Sequence, residues 1–562
     1  MKKISTLVTL LLVSILSFSQ DYTFYNDQAK KEYDSKNYYN AVDYATKSIT
    51  ASPNGPAYWW RGMGRYYMNN YTDAANDFGS AISYYSSDNS SLGALYYWRA
   101  LCRYNQQNYQ DALPDFEWAK NYGYEDKLDI YWYMGWSNFK IEEYKKARES
   151  YTTAIGYASD NIILSKLYKE RADVERKQGE NDDAINDYTK AIDYNASNDG
   201  AFWNRALCRS GKYQYDLAIG DCTSAINLIE KTNSSTSAND LGILYSNRGL
   251  YEYDLEKYED AKIDLKKSLE LNPNYDNANR NMADVLYSLK QYKEANRYYL
   301  QAASLYKKDA DKAYCYGTLY WSCRNMLDYT GALGYINSAV AMNPDEKSYY
   351  TNRAYILSIK KDYAGSLKDY NKVINNYEKL TTLYYFDSVR LASAYKDRGL
   401  LKTKMKDNIG ALADLQKSVT LDPYYNSYYE LGRFFKLILK QDDLASTNLE
   451  KAADKSILAD TTSSYAYAKI IEGDKQTAIR VILKLIKENG TDNYNLKWNL
   501  HNAACIYSLA GDTNKALQYV EKSLIAGFDD YDHLINDRDL LAIAVLPQYK
   551  GILAKYKVPQ PR

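Results

Sequence analysis

Small residues recur along this chain at fixed distances, and this repetition limits the fold more than any other feature. Ala206 is followed twelve residues later by Ala218, sixteen later by Cys222 and nineteen later by Ala225. We call the opening residue of such a copy its anchor. Strong copies have the anchors Gly62, Ala100, Gly135, Ala172, Ala206 and Ala283, and weaker ones have Ala29, Gly249, Tyr320, Ala354, Gly399, Gly432, Ala466 and Ala504. About fourteen copies result, and their spacing is typical of solenoid arrays.

Each copy has room for two helices of about three to four turns joined by a tight turn, such as SGKYQY at residues 210–215. Proline stands twenty-four residues after four of the anchors, where the second helix is predicted to end. These prolines are Pro53, Pro273, Pro344 and Pro423. The copy anchored at Gly432 keeps its register only after a one-residue slip, to Ala445, Leu449 and Ala452.

Over residues 22–527 this pattern resembles the tetratricopeptide repeat, with its aromatic residue, small residue, second alanine, second aromatic residue, third alanine and closing proline. The resemblance implies an all-α solenoid of about fourteen antiparallel helix pairs forming a right-handed superhelix with a concave groove. It also implies a non-enzymatic scaffold that binds a protein or an extended peptide in that groove. Residues 526–553 resemble the closing segment that follows the last repeat in exported bacterial members of the family.

The N-terminus predicts export. Lys2 and Lys3 precede an apolar run over residues 7–16, and Ser17 and Ser19 supply the small residues that a signal peptidase reads. The run is shorter than the roughly 18 apolar residues that a membrane span needs. We therefore expect residues 1–19 to be a cleaved signal peptide and the mature chain to have no integral membrane segment. The periplasm of a Gram-negative bacterium is the expected location, with secretion or the cell surface as alternatives.

The predicted organisation of the mature chain has four parts. They are N-terminal repeats over residues 20–232, central repeats with inserted loops over 233–425, degenerate repeats over 426–490, and the last repeat with the closing segment over 491–562.

Charge and motif content argue against several functions. The 71 basic and 71 acidic residues cancel and are interspersed, which argues against a nucleic-acid partner. The two histidines, His501 and His533, stand in no H-E-x-x-H or Cys/His metal spacing. No G-x-S-x-G or phosphate-binding loop motif occurs. We therefore predict no enzyme activity, no catalytic residue, no metal site and no cofactor, and we interpret Cys102 and Cys208 as small buried hydrophobic residues.

An arginine recurs just before the anchor, together with an aspartate sixteen residues after the arginine. The seven pairs are Arg61 with Asp77, Arg99 with Asp115, Arg171 with Asp187, Arg205 with Asp221, Arg248 with Asp264, Arg353 with Asp369 and Arg398 with Asp414. Repeats with Met134, Met282, Leu319 or Leu431 in the arginine position lack the aspartate. In an antiparallel hairpin the two positions lie at the same height, so this co-variation predicts half-buried structural ion pairs that fix the register of the two helices.

Tyrosine, with 64 residues, often stands four positions before the anchor, one helical turn away on the same face. We interpret this column as packing between helices. It contains Tyr58, Tyr96, Tyr131, Tyr168, Tyr245, Tyr316, Tyr350, Tyr395 and Tyr428.

The concave groove is predicted from the positions three before, and one, four and five after, the anchor. In three successive repeats these positions are mainly aromatic: Trp59, Met63, Tyr66 and Tyr67; Tyr97, Leu101 and Tyr104; and Trp132, Trp136 and Phe139. Aromatic residues bury a large area with few rotatable bonds, so this stripe is the predicted binding site for a protein or peptide. The alternative is glycan binding, because the same rings can stack on sugars. Asp173 stands where a carboxylate-clamping repeat would have asparagine, which argues against that binding mode.

Overall fold

The computed structural model describes residues 22–85, 88–232, 238–382, 384–423, 425–455, 462–488 and 492–561, and within these ranges the fold is all helix, without strands. The predicted signal peptide, residues 1–19, lies outside the described residues. The contacts divide the chain into two units: the first ends at Lys257 and the second begins at Tyr258. Each unit is a stack of helical hairpins, as the repeat pattern predicts.

The first unit contains thirteen helices among its described residues. They are α1 (22–34), α2 (Tyr38–Ala51), α3 (Gly55–Tyr67), α4 (Tyr71–Ile82), α5 (Asn89–Asn105), α6 (Tyr109–Asn121), α7 (Lys127–Lys140), α8 (Tyr144–Tyr157), α9 (Asn161–Gln178), α10 (Asn181–Tyr194), α11 (Asp199–Ser210), α12 (Tyr215–Thr232) and α13 (Ala238–Asp254).

The described part of the second unit contains eighteen α-helices, a π-helix at Phe435–Leu439 and a 3₁₀ helix at Arg538–Leu540. The α-helices are α14 (Tyr258–Leu271), α15 (Asp276–Ser288), α16 (Tyr292–Leu305), α17 (Asp309–Asn325), α18 (Tyr329–Met342), α19 (Lys347–Ile359), α20 (Tyr363–Glu378), α21 (Tyr385–Lys404), α22 (Asn408–Leu421), α23 (Tyr425–Phe434), α24 (Asp442–Lys455), α25 (Ser463–Glu472), α26 (Lys475–Glu488), α27 (Asn493–Ala510), α28 (Thr513–Ile525), α29 (Tyr531–Asn536), α30 (Leu541–Ala544) and α31 (Pro547–Lys555).

The turn after the first helix of each repeat contains one left-handed residue at a fixed distance from the anchor. Asn69, seven residues after Gly62, has a φ of 60°, and the next amide, of Asn70, donates back to the carbonyl of Arg65 at 2.8 Å. This is the usual left-handed end of a helix. Fourteen such turns occur in the described residues: Lys36, Asn69, Gln107, Glu142, Gly179, Tyr213, Glu256, Lys290, Leu327, Lys361, Lys406, Lys440, Gly473 and Gly511. Their number agrees with the predicted number of repeats.

The π-helix explains the slip at Gly432. Its left-handed residue, Lys440, comes eight residues after the anchor rather than seven. A π-helical turn accommodates an extra residue within a helix, so the register shifts by one. Ala445, Leu449 and Ala452 are accordingly buried, as the slipped register requires.

The anchors are small because the second helix approaches them closely. A methyl group on Gly62 would lie 2.9 Å from a ring carbon of Phe78, and one on Gly135 would lie 2.8 Å from the ring of Tyr151. These aromatic residues are the ones sixteen positions after each anchor, and both are buried. The fixed spacing in the sequence therefore reflects close contact between the two helices of a hairpin.

Two further predictions are confirmed. The second helix ends two residues before the closing proline in each of the four repeats that have one, as α2 does at Ala51 before Pro53. All six cysteines are free and buried, which confirms the prediction made for Cys102 and Cys208. Among the described helices, none is both long and apolar enough to cross a membrane.

Candidate functional site

Six of the seven predicted arginine and aspartate pairs lie within one unit, and in each the two side chains are in contact. Arg205 donates from Nε and Nη2 to the two carboxylate oxygens of Asp221 at 3.0 and 2.7 Å. Arg248 and Asp264 fall in different units, so that pair stays a prediction. The closest N–O distances of the other five are 2.5 to 2.7 Å, for Arg61 with Asp77, Arg99 with Asp115, Arg171 with Asp187, Arg353 with Asp369 and Arg398 with Asp414.

The burial of these pairs is uneven between the two partners. Each of the six aspartates is fully buried, with 2 to 4% of its surface exposed, whereas among the six arginines only Arg205 is buried. A short carboxylate stays close to its own helix, inside the hairpin, while a long guanidinium side chain reaches it from the edge. The buried aspartates are therefore structural and do not face an open binding surface. They are Asp77, Asp115, Asp187, Asp221, Asp369 and Asp414.

Most of these pairs belong to larger clusters that spacing alone did not reveal. In four repeats a second cation, one turn after the arginine, contacts the same aspartate at 2.6 to 2.8 Å: Arg65, Arg103, Arg209 and Lys402. The tyrosine three residues before the arginine places its ring under the guanidinium, as Tyr58 does below Arg61 at 5.4 Å. The tyrosine column thus contributes cation–π contacts as well as packing.

The structure corrects three of the predicted groove residues. Met63, Tyr97 and Leu101 are each 4% exposed, so the prediction that they line an open binding surface is wrong. Tyr97 stacks on Tyr124 at 4.3 Å and donates a hydrogen bond to Asp129 at 3.1 Å. These side chains pack within and between neighbouring hairpins because the hairpins stack closely.

Four other predicted groove residues lie outside the pocket described below. Trp59 packs edge-on to Phe78 of its own hairpin, and Tyr66 packs edge-on to Trp98 of the next repeat at 5.0 Å. Tyr67 is 44% exposed and stacks on Tyr38 at 4.9 Å. Phe139 is half-buried.

The other three, Tyr104, Trp132 and Trp136, line one pocket in the first unit. The pocket has a volume of about 290 Å³ and lies between α5, α7 and α9, the first helices of three successive hairpins. Sequence reasoning missed the remaining lining residues, which are Asp129, Tyr133 and Glu170. Four aromatic rings and two carboxylates therefore surround one cavity, which we call the aromatic–acidic pocket.

Glu170 is the acid held most firmly in this pocket. Trp132 donates from its indole nitrogen to Glu170 Oε2 at 2.6 Å. Burial raises the pKa of Glu170 to about 7, although the Trp132 hydrogen bond and the Lys169 charge oppose the shift. Burial also raises the pKa of Asp129 above its usual range. A cation entering the pocket would therefore meet one carboxyl group that titrates near neutral pH.

Two of the missed residues, Tyr133 and Glu170, have a signal in the sequence that becomes clear from the structure. Two positions before the anchor, the side chain packs against the first helix of the preceding repeat. Trp98 meets Tyr66, Tyr133 meets Tyr104 at 4.9 Å between ring centroids, and Glu170 meets Trp132. This column comprises Trp60, Trp98, Tyr133, Glu170 and Asn204. Its members Tyr133 and Glu170 line the pocket together with the predicted groove residues.

In the second unit the corresponding face of the first helices holds a segment of the chain itself, residues 529–539. Asp532, which is buried, accepts hydrogen bonds from Arg324 Nε at 2.7 Å, from the hydroxyl of Tyr329 at 2.9 Å and from that of Tyr355 at 2.6 Å. Arg324 and Tyr355 stand four and one residues after their anchors, which are predicted groove positions.

Further charges hold the same segment. Asp529 contacts Lys290 and Lys497, the latter at 2.9 Å, and Asp539 contacts Arg433 at 2.5 Å. The segment also supplies Arg538, which contacts Glu430. An acidic piece of chain thus lies against basic side chains that come mainly from first helices, with Lys290 in the turn after α15.

Three stretches match family models. Residues 61–126 and 243–275 match models described as tetratricopeptide repeat, and residues 172–208 match a model described as TPR repeat. The chain carries tetratricopeptide repeats. Proteins built from tetratricopeptide repeats are generally non-enzymatic scaffolds for protein interaction.

Related proteins share these repeats over part of their length. Human RNA polymerase II-associated protein 3 is 28% identical over 176 residues, which make up 29% of this chain and 25% of that protein. A TPR repeat-containing protein of Methanocaldococcus jannaschii is 23% identical over 414 residues, 72% of this chain and 60% of that protein. The solved C-terminal part of a TPR protein from Cytophaga hutchinsonii is 18% identical, with a TM-score of 0.38, and covers 45% of this chain and 97% of the solved chain. This chain therefore spans at most about three fifths of the two sequence relatives.

Proposed function

We propose that this protein is a non-enzymatic scaffold whose first unit binds an extended segment of a partner protein that carries a lysine or arginine side chain. The basic side chain enters the aromatic–acidic pocket between α5, α7 and α9. The flanking backbone of the segment lies along the face formed by the first helices.

The observation that carries this proposal is the composition of the pocket. Its rings offer negative π faces, and Glu170 and Asp129 offer carboxylates, so both parts of the lining attract a cation. Lys140 of the chain itself already lies 5.0 Å from the centroid of the Trp136 ring. At about 290 Å³ the cavity is slightly below the usual range for small-molecule sites, which suits a single side chain.

The second unit supports the proposal with an internal precedent. Its first helices hold residues 529–539 through side chains at the positions predicted to line a groove, including Arg324 and Tyr355. There the face is basic and the bound segment is acidic. In the first unit the pocket is acidic, which is why we assign it a basic ligand.

The test is selection of random peptides from a displayed library by the full chain and by pocket variants. We expect the wild-type chain to enrich peptides that contain lysine or arginine. Glu170→Gln should weaken binding of a selected peptide by about 30-fold or more, because losing one partner of a desolvated charge pair costs about 2 kcal/mol or more. Trp136→Ala should also weaken it, while leaving helicity unchanged because the ring is only half-buried.

Matched controls lie on a neighbouring second helix. Trp118 on α6 is 49% exposed, 46% of the side chain of the neighbouring Glu117 is exposed, and neither residue lines the pocket. Trp118→Ala and Glu117→Gln should bind the selected peptide as the wild type does. Enrichment of peptides without basic residues, or equal losses in control and pocket variants, would refute the proposal. None of the related proteins above supports the glycan-binding alternative.

We also propose that the protein is exported and that its signal peptide is cleaved before Gln20. The periplasm is the location we favour. The support is the basic start, the apolar run and the small residues over residues 1–19. N-terminal sequencing of the protein purified from the envelope fraction of its native cells should begin at Gln20. A chain that retains Met1 and stays with the cytosolic fraction would contradict this proposal.

A further inference from the structure

The two histidines of the chain, 32 residues apart in sequence, come together in the second unit around one carboxylate. His501 and Cys505 stand one turn apart on α27, and His533 stands on α29, four residues before Asp537. His501 Nε2 lies 3.0 Å and Cys505 Sγ lies 3.3 Å from Asp537 Oδ2, and Sγ lies 3.6 Å from Nε2. The ligand atoms of all three residues are thus within 4.8 Å of one another.

We propose that His501, Cys505 and Asp537 form a binding site for a divalent transition-metal ion of the Zn²⁺ type. The site goes beyond the binding function of the first unit and is independent of it. Imidazole nitrogen, thiolate sulfur and carboxylate oxygen are the donors that zinc takes in proteins. Binding replaces the thiol proton of Cys505, which leaves to water.

The separations fit tetrahedral coordination. With Zn–N and Zn–O bonds of about 2.0–2.1 Å and a Zn–S bond of about 2.3 Å, two N or O ligands stand about 3.3–3.4 Å apart, and sulfur stands about 3.5–3.6 Å from either. The observed Cys505 to His501 distance of 3.6 Å meets this value. The two distances to Asp537, 3.0 and 3.3 Å, need to open by only about 0.2–0.4 Å.

The surroundings suit a metal that holds structure together. His501 and Cys505 are fully buried, and the His501 ring stacks on Phe528 at 4.5 Å. His533 stands on the more exposed side, with its Nε2 3.4 Å from the same Asp537 oxygen. The ligands come from α27 and from the segment 529–539, so a bound ion would fasten this segment to the last repeat.

A hydrogen-bonded cluster without metal is the competing explanation, and cobalt spectroscopy of the unmodified chain separates the two. The full-length protein is stripped with a chelator and titrated with Co²⁺ alone, then with Zn²⁺ alone. We expect a thiolate-to-cobalt charge-transfer band together with the intense visible bands of tetrahedral cobalt, both bleached by zinc. If the Co²⁺ titration of the unmodified chain shows no thiolate-to-cobalt charge-transfer band, the proposal is wrong, and this result does not depend on any variant.

Paired cysteine variants give the second test. Cys505→Ala should lower zinc affinity by at least about 100-fold, since losing even an outer partner of a ligand costs up to about 100-fold. Cys208→Ala, at an equally buried cysteine on α11, should keep both the affinity and the cobalt spectrum. Circular dichroism checks that both variants fold. Equal zinc affinity in wild type and Cys505→Ala would overturn the proposal.

Discussion

The buried pair of Arg205 and Asp221 allows a quantitative test of what the repeated charges do. Asp221 is 3% exposed and accepts three charge-assisted hydrogen bonds, two from Arg205 and one from Arg209 at 2.6 Å. Arg205→Met keeps most of the packing but removes two of these bonds and the contact with Thr189 at 2.9 Å. Arg209 still pairs with the aspartate, so we expect a loss of about 2–3 kcal/mol, below the usual cost of a stranded charge.

Asp221→Leu should cost about 3–5 kcal/mol, because it leaves two arginines without their carboxylate. The double variant Arg205→Met with Asp221→Leu should cost no more than about 2–3 kcal/mol, because the apolar pair replaces the buried charges at little cost and only Arg209, whose side chain is 17% exposed, is left without its carboxylate. One repeat of the chain naturally lacks the ion pair, with Met134 in the arginine position and Ser150 in the aspartate position, both buried. The coupling free energy between Arg205→Met and Asp221→Leu is therefore expected to be several kcal/mol. The double variant should be more stable than the sum of the two single losses implies.

Hydrogen exchange of α12 measured by mass spectrometry is the suitable assay, because repeats open locally and one global unfolding energy is not defined for such an array. Arg353→Met is the internal comparison. Asp369 has no second cation within 4 Å in the part of the chain that the structure describes, so this change should cost more than Arg205→Met. Costs of Arg205→Met and Asp221→Leu that simply add in the double variant would refute the coupling.

Two further predictions concern the two faces built from first helices. Asp532→Ala strands Arg324 and should release the segment 529–539, which we expect to see as faster hydrogen exchange in that segment while exchange in the first unit stays unchanged. Unaltered exchange in the segment would mean that Asp532 does not hold it. Because the pKa of Glu170 is raised to about 7, the free pocket holds a proton below that pH, and a cationic peptide must displace it. Its affinity should therefore rise about tenfold between about pH 6 and pH 8 and then level off, and Glu170→Gln should abolish this dependence. A pH-independent affinity of the wild type, measured by titration with a selected peptide, would contradict the assignment of Glu170.

The hairpins could be predicted from offsets in the sequence alone. The anchor spacing, the prolines and the co-varying charges all report contacts inside one repeat, where chain connectivity keeps the two partners close and the offset is constant. Spacing therefore predicts the register of the two helices and the one-residue slip at Gly432. It also predicts the aspartate partner of Arg205 and of the five other arginines whose pairs lie within one unit.

The packing of the hairpins against one another, which no spacing predicts, determines which residues lie on the free surface and which distant groups are in contact. Met63, Tyr97 and Leu101 have the same apolar character as Trp136, but the stacking of neighbouring hairpins buries them and leaves Trp136 at a pocket. Glu170 joins Trp132 across 38 residues, and Asp537 joins His501 across 36. Such contacts depend on how successive hairpins stack and how the C-terminal segment folds back. The position two before the anchor recurs in the contacts between repeats, but the offset to its partner varies from 29 to 38 residues, so spacing does not identify the partner.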